Sequence, residues 1–204
     1  MVQATPQLMT VEDFIARFGD DARYELIDGE LIDMEPTGPH EEVAAFVGRK
    51  LNVQIDQHGV PYLIPYRCLI RALGTQTAFR PDVVVLDKLQ LVHEPLWQQA
   101  PVIILGTSIK LVVEVVSTNW QNDYARKSED YALLRVPEYW IIEHYLGLGD
   151  RDFIGKPKQP TITLCTLVDD EYEKQRLRGN DLLKSKIFTQ LSLSVKRIFQ
   201  AAYQ

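Results

Sequence analysis

The chain has 204 residues, of which 22 are Lys or Arg and 28 Asp or Glu, giving a formal charge of −6. With about 46% apolar and 25% charged residues, it has the profile of a globular protein, and at this length roughly 70% of the unfolded chain's surface can be buried. No stretch approaches the ~20 uninterrupted apolar residues of a membrane span, and the N-terminal MVQATPQLMT lacks the basic-then-apolar pattern of a secretory signal. Cys68 and Cys165 stand far apart, without metal or disulfide spacing. The expectation is a soluble cytoplasmic protein, one domain over residues 1–204, with two semi-buried thiols in a reducing compartment.

The charge is unevenly spread: residues 1–60 hold 4 basic and 12 acidic side chains, residues 61–204 hold 18 and 16. Arg67, Arg71 and Arg80 fall in a stretch without acids. Phosphate affinity comes from clustered Lys and Arg, so an acidic chain binds nucleic acid poorly unless the contact is local, metal-assisted or weak.

In chain order, Thr10, Asp13 and the apolar Val11, Phe14, Ile15 and Phe18 predict a short capped helix ended by Gly19. Two extended segments, 24–27 and 30–34, flank Asp28-Gly29, which supplies the positive φ angles of a tight hairpin. Over 39–58, Val43, Phe46, Val47, Leu51 and Ile55 recur at spacings of three and four, the mark of one helical face, with Gly59 as the stop. Residues 67–73, 82–86 and 109–117 are β-branched runs bounded by turn residues. The run over 111–116 is apolar on both faces apart from Glu114, as in a central strand covered by helices on both sides. A helix over 122–134 with Asn122 as cap, then a strand over 139–143, completes a βαβ crossover. Beyond a loop at 155–160 come strands near 161–168 and 171–178 and a helix near 191–203. The fold class predicted is α/β with a mixed central sheet flanked by helices: a short N-terminal helix and hairpin, a core over about 39–145, and C-terminal strands and helix.

Several chemistries are absent from the motifs. Gly147-Leu148-Gly149 follows a strand, but Asp152 stands where a dinucleotide loop needs a third glycine, so no nucleotide cofactor is expected. The four histidines, at 40, 58, 93 and 144, lack zinc spacing, and no nucleophile elbow is present.

The anomaly is Glu114. An unpaired carboxylate in a strand of Val and Leu costs several kcal/mol, so it must pair with a base, reach water, or serve a function. A second acid, Asp82, opens the strand Val83-Val84-Val85-Leu86. Two carboxylates entering adjacent strands of one sheet can converge on a divalent cation, and Mg²⁺ favours such hard oxygen ligands while keeping sites for water and phosphate. Lys127 lies one turn into the following helix, so the crossover can return its ammonium to the strand end, on the order of 3–6 Å from a carboxylate. The alternative for Lys127 is an ordinary i,i+4 pair with Asp123 on a solvated helix face. Because that pair is expected to be exposed, Lys127→Ala is expected to abolish most cleavage at a cost of only about 0.3–0.5 kcal/mol in stability if the lysine serves the site.

Arg80-Pro81-Asp82, Glu114-Val115-Val116-Ser117, Lys127 with Tyr131, and Pro137-Glu138-Tyr139-Trp140 follow one another in that order. Together they resemble the PD-(D/E)XK nuclease superfamily and, more narrowly, its bacterial restriction-endonuclease-like (Uma-type) family. Tyr24-Glu25-Leu26-Ile27-Asp28-Gly29-Glu30 and Pro39-His40 match that family's N-terminal pattern. The resemblance spans about residues 10–200 and implies a restriction-endonuclease-like core hydrolysing DNA to a 5′-phosphate and a 3′-hydroxyl. One departure stands out: the superfamily's lysine usually lies two residues after the acid, where this chain has Val116, and Lys127 matches the helix-borne lysine of the narrower family.

Two functions follow as expectations. The first is a Mg²⁺-dependent endonuclease (Mn²⁺ substituting) in which Asp82, Glu114 and the Val115 backbone carbonyl hold the cation, Lys127 stabilises charge on the phosphate, and Glu25 and His40 assist. The second is a degenerate nuclease-fold module that binds DNA or protein without cutting, consistent with Val116 and the acidic N-terminal third. Cutting both strands of a duplex calls for a twofold homodimer, with Pro61-Tyr62-Leu63-Ile64-Pro65 as a candidate interface.

Overall fold

The computed structural model describes residues 8–34, 36–116, 121–144 and 154–202. Helix α1 (Val11–Phe18) starts where the Thr10 hydroxyl accepts the Asp13 N–H at 3.1 Å, and it buries Val11 and Phe14. Strands β1 (Tyr24–Ile27) and β2 (Glu30–Asp33) form an antiparallel hairpin. Asp28 at φ 50° and Gly29 at φ 83° form its turn, both in the left-handed region that a two-residue hairpin of this twist requires. Helix α2 (Gly38–His58) is capped by Thr37, carries Pro39 in its first turn, and stops at Gly59 at φ 59°.

The remaining strands are β3 (Tyr62–Leu63), β4 (Leu69–Arg71), β5 (Ala78–Phe79), β6 (Val83–Asp87), β7 (Val102–Ile103), β8 (Ile109–Val115), β9 (Glu138–Glu143), β10 (Thr161–Val168) and β11 (Glu171–Leu177). They make two mixed sheets where the sequence suggested one. The first runs β2-β1-β5-β4-β7 and the second β11-β10-β9-β8-β6-β3. In the second sheet β8 and β9 are parallel, joined by a π-helical turn (Asn122–Arg126) and helix α3 (Lys127–Leu133), and its other pairings are antiparallel. This is the crossover read from the sequence.

The side chains of β8 alternate between two cores. Leu111, Val113 and Val115 pack with Val43, Val47 and Leu51 of α2. Val112 and Val116 join Tyr131, Leu134 and Tyr139 on the opposite face. Burial on both faces explains the continuous apolar run, and strand parity assigns Glu114 to the α3 side.

Several elements differ from expectation. The helix after β8 opens with a π turn, and Asn122 lies inside it without capping. The C-terminal helix shrinks to α4 (Val195–Phe199) and one 3₁₀ turn (Gln200–Ala202). It cannot start earlier because Ser194 is extended and bridged to Leu182, and the Leu193 carbonyl accepts the Leu183 N–H. Of the Pro61–Pro65 stretch nominated for an interface, Tyr62 and Ile64 pack against the α2-side core and Leu63 against the other. Residues 147–149 lie outside the described residues. No helix among the described residues is long and apolar enough to cross a membrane.

Candidate active site

The register of β6 against β8 pairs Val84 with Val112 and Val83 with Val113. One step further sets Asp82 opposite Glu114, and opposed residues of antiparallel strands share a face. The Asp82 carboxylate accepts the Val115 N–H at 2.6 Å. From the start of α2, His40 Nε2 approaches the same Asp82 oxygen at 3.4 Å. The Asp82 carboxylate is therefore oriented from both the sheet and the helix.

Glu114 is only 3% exposed, yet neither of its oxygens is unpartnered. The Tyr131 hydroxyl donates to Oε1 at 2.8 Å, and Lys127 Nζ lies 3.1 Å from Oε2. Lys127 is likewise buried and holds two further carboxylates, Glu25 at 3.1 Å and Asp123 at 3.4 Å. The distance to Glu114 falls inside the window anticipated from the sequence. The solvated helix face does not exist: at 4% exposure Lys127 is a core residue, and the small cost expected for Lys127→Ala is overturned.

The backbone accounts for this convergence. In the π turn the Lys127 N–H reaches back five residues to the Asn122 carbonyl, a wider turn than the α-helix's 3.6 residues. Widening brings residues four apart closer to eclipsing, so Asp123 and Lys127 project together toward β8. Glu25 arrives from β1 of the other sheet. Its Oε1 also accepts the Arg80 N–H at 2.7 Å. The Arg80 side chain turns away from the acids and donates to the carbonyls of Phe18, Gly19 and Tyr24, tying the end of α1 to the hairpin.

A cavity of about 180 Å³ opens onto His40, Asp82, Glu114, Asp123 and Lys127. Its electrostatics follow from four carboxylates around one ammonium. Burial drives the Glu114 carboxyl well above its ordinary value, opposed by Lys127 and reinforced by Asp82, Glu25 and Asp123. Burial also lifts Asp123 to about 6, again against the pull of Lys127. For Lys127, burial alone would weaken the ammonium, but Glu114, Glu25 and Asp123 outweigh it and hold the lysine charged. Burial acts on His40 in the same way, and is outweighed by Asp82, Glu41 and the Val115 backbone, so its imidazole is raised.

Sequence reasoning missed Asp123 as a member of the cluster and Tyr131 as the partner of Glu114. The signal was the stripe Asp123, Lys127, Tyr131 at intervals of four, which places all three on one helix face.

A hard cation fits this donor set. The cavity wall is oxygen-rich, with the carboxylates of Asp82, Glu114 and Asp123 beside the Lys127 ammonium. Among the described residues no three His, Cys, Asp or Glu side chains form a ready-made metal cage.

An α/β core whose adjacent central strands bring two carboxylates to one cavity, beside a lysine from the crossover, belongs to the restriction-endonuclease-like class. The chain is similar in fold to the crystal structure of a putative nuclease belonging to DUF820 from Anabaena variabilis ATCC 29413. The TM-score is 0.69 at 16% identity, over 95% of this chain and 99% of that one. Residues 11–196 match the Uma2 family, described as putative restriction endonuclease, and the chain belongs to that family. No curated protein matches it.

Proposed function

We propose that this chain is a Mg²⁺-dependent endonuclease acting on DNA phosphodiester bonds, with Asp82, Glu114 and Lys127 as its central residues. The observation that carries the reading is the meeting of Asp82 and Glu114 from adjacent strands at one cavity, with the Lys127 ammonium 3.1 Å from Glu114. Asp82, Glu114 and the Val115 carbonyl would hold the cation. The chemistry supplied by bound Mg²⁺ is a lowered pKa for a coordinated water and neutralisation of phosphate charge. Asp82 is aimed by the Val115 N–H and His40, and Glu114 by Tyr131. Lys127 offers its ammonium to negative charge building on the phosphate, while Glu25 and Asp123 keep it charged and in place. Val116 removes the lysine from the strand, and Lys127 fills that role from the helix.

The deciding experiment titrates Mg²⁺ and Mn²⁺ into the protein by calorimetry, with Asp82→Asn as control, alongside a supercoiled-plasmid nicking assay. Saturable binding lost in Asp82→Asn, with metal-dependent nicking, supports the reading. Affinity unchanged in Asp82→Asn sinks the metal assignment, and metal binding without nicking of any DNA favours the non-cutting module. Double-strand cleavage would further require a twofold dimer, checked by light scattering.

A further inference from the structure

Tyr66 is the most exposed large apolar side chain among the described residues, at 94% of its full surface, and it stands on the wall of the acidic cavity. Exposed tyrosines are ordinary on a surface. This one differs in its setting. The preceding Pro65 has its own φ fixed by its pyrrolidine ring. The following Arg67 donates to the Asp20 carbonyl at 2.8 Å, anchoring the loop to the end of α1. The Arg67 guanidinium also lies 5.9 Å from the Tyr66 ring centroid. The Tyr66 ring therefore faces solvent on a loop anchored by its neighbour Arg67, beside a positive charge, on the wall of an acidic cavity. Met34, Pro36 and Pro65 add apolar surface to the same walls.

We infer that Tyr66 is a stacking platform for an unpaired nucleobase, and that the site takes single-stranded or locally unpaired DNA in preference to continuous duplex. The inference rests on the nuclease reading for the nature of its ligand. The argument is one of charge and shape. Of the two arginines at the cavity, Arg80 is committed to three backbone carbonyls and Arg67 to one, so only Arg67 keeps most of its N–H donors for the DNA backbone. An acidic chain with one available guanidinium at its mouth gains little from phosphate contacts alone. Affinity must then come from elsewhere, and an aromatic face supplies it without sequence preference, because every base has a π surface. In continuous duplex the base faces are stacked on one another and unavailable to the ring, whereas a single strand offers them freely. The cavity, at about 180 Å³, has room for a phosphate group, and Tyr66 lines it together with His40, Asp82 and Glu114, so a base stacked on the ring sits beside the acids.

The test measures binding apart from cleavage. Anisotropy of a fluorescein-labelled dodecamer single strand, and of a hairpin duplex of the same composition, is titrated with wild type, Tyr66→Phe and Tyr66→Ala, in EDTA and again in Ca²⁺, a hard cation used in place of Mg²⁺ to keep binding apart from cleavage. A second oligonucleotide carries 2-aminopurine, whose fluorescence is quenched when its ring stacks. Tyr66→Ala should weaken single-strand binding about tenfold, in line with loss of one base–aromatic stack, and abolish the quenching. Tyr66→Phe should bind and quench as wild type does. The thermal midpoint should be unchanged in both variants, since the ring is exposed. Single-strand affinity unaltered in Tyr66→Ala, equal losses for single strand and duplex, or no single-strand binding by wild type in either buffer would each overturn the inference. A chain that quenches through Tyr66 but never nicks DNA would keep this inference and lose the nuclease reading. A chain that nicks plasmid while Tyr66→Ala binds normally would do the reverse.

Discussion

Replacing Lys127 by Met keeps the length of the aliphatic stem and deletes the charge that three carboxylates share. Each ion pair, at 3.1 to 3.4 Å, has a gross attraction of about 5 kcal/mol at an effective dielectric near 20, offset by the desolvation of both partners. Without the ammonium, the cheapest relief is for a carboxylate to take up a proton. At pH 7 a glutamate with an ordinary value near 4.3 pays about 3.7 kcal/mol for that, at 1.36 kcal/mol per pH unit. Lys127→Met is therefore expected to lose about 3–5 kcal/mol of stability at pH 7, the range for breaking a buried ion pair. The sign of the pH dependence follows: proton uptake becomes easier as pH falls, so the gap to wild type should narrow steadily below neutrality and nearly close around pH 4–5. Adding Glu114→Gln removes one of the stranded charges and should recover roughly 1–3 kcal/mol, a coupling typical of residues in contact. Urea denaturation followed by circular dichroism from pH 4.5 to 8 reads all three values. A Lys127→Met variant within about 0.5 kcal/mol of wild type at pH 7, or a loss that does not vary with pH, would refute the buried-cluster argument.

Three further outcomes follow from the same structure. Burial pushes the thiols of Cys68 and Cys165 up to about 12, so neither should react with Ellman's reagent at pH 8 in the native protein, while both react at once in guanidinium. Burial, aided by the charge of His40, lowers His144 to about 4, so its ring should stay neutral in an NMR titration down to pH 5 while His40 titrates above the ordinary 6.5. The stability that neutral His144 contributes is thus complete above about pH 6.5 and is lost as pH falls toward 4. A Cβ at Gly106 would sit 1.6 Å from the Leu134 carbonyl oxygen, so Gly106→Ala should cost at least about 1–3 kcal/mol in a thermal or urea melt, with the larger end set by how far the backbone must shift.

The parts of this fold that were legible in the sequence are those fixed by short-range chemistry. Thr10, Asp28-Gly29 and Gly59 mark their elements because a cap or a left-handed φ is set by the residue itself. The double-sided burial of β8 was legible because its parity is strict and its residues almost all apolar. The partition of the strands into two sheets was not legible, since it depends on pairings such as Leu26 with Ala78 and Leu69 with Val102, far apart in the chain and between strands of two to four residues. The shortened C-terminal helix was hidden for a related reason, because bonds to Leu182 and Leu183 override the local helical pattern before Val195.

At the candidate site, local spacing exposed Asp82, Glu114 and Lys127 but misjudged their environment. An Asp123–Lys127 spacing of four reads the same on a solvated helix as on a buried one, and only the position of α3 over β8 separates the cases. That position also sets the two lysine locations against each other. Val116 shares the α3-side face with Glu114, two residues along the strand, and there it packs with Tyr124 and Tyr131. A lysine from the strand and a lysine from the covering helix would address the same carboxylate from opposite walls of one core. From the helix, Lys127 bridges Asp123 and one oxygen of Glu114, while Tyr131, one turn later, donates to the other oxygen. An ammonium carried by the helix comes paired with Asp123 and leaves the strand end apolar, so the charge at this site depends on the packing of α3 as much as on the sheet beneath it.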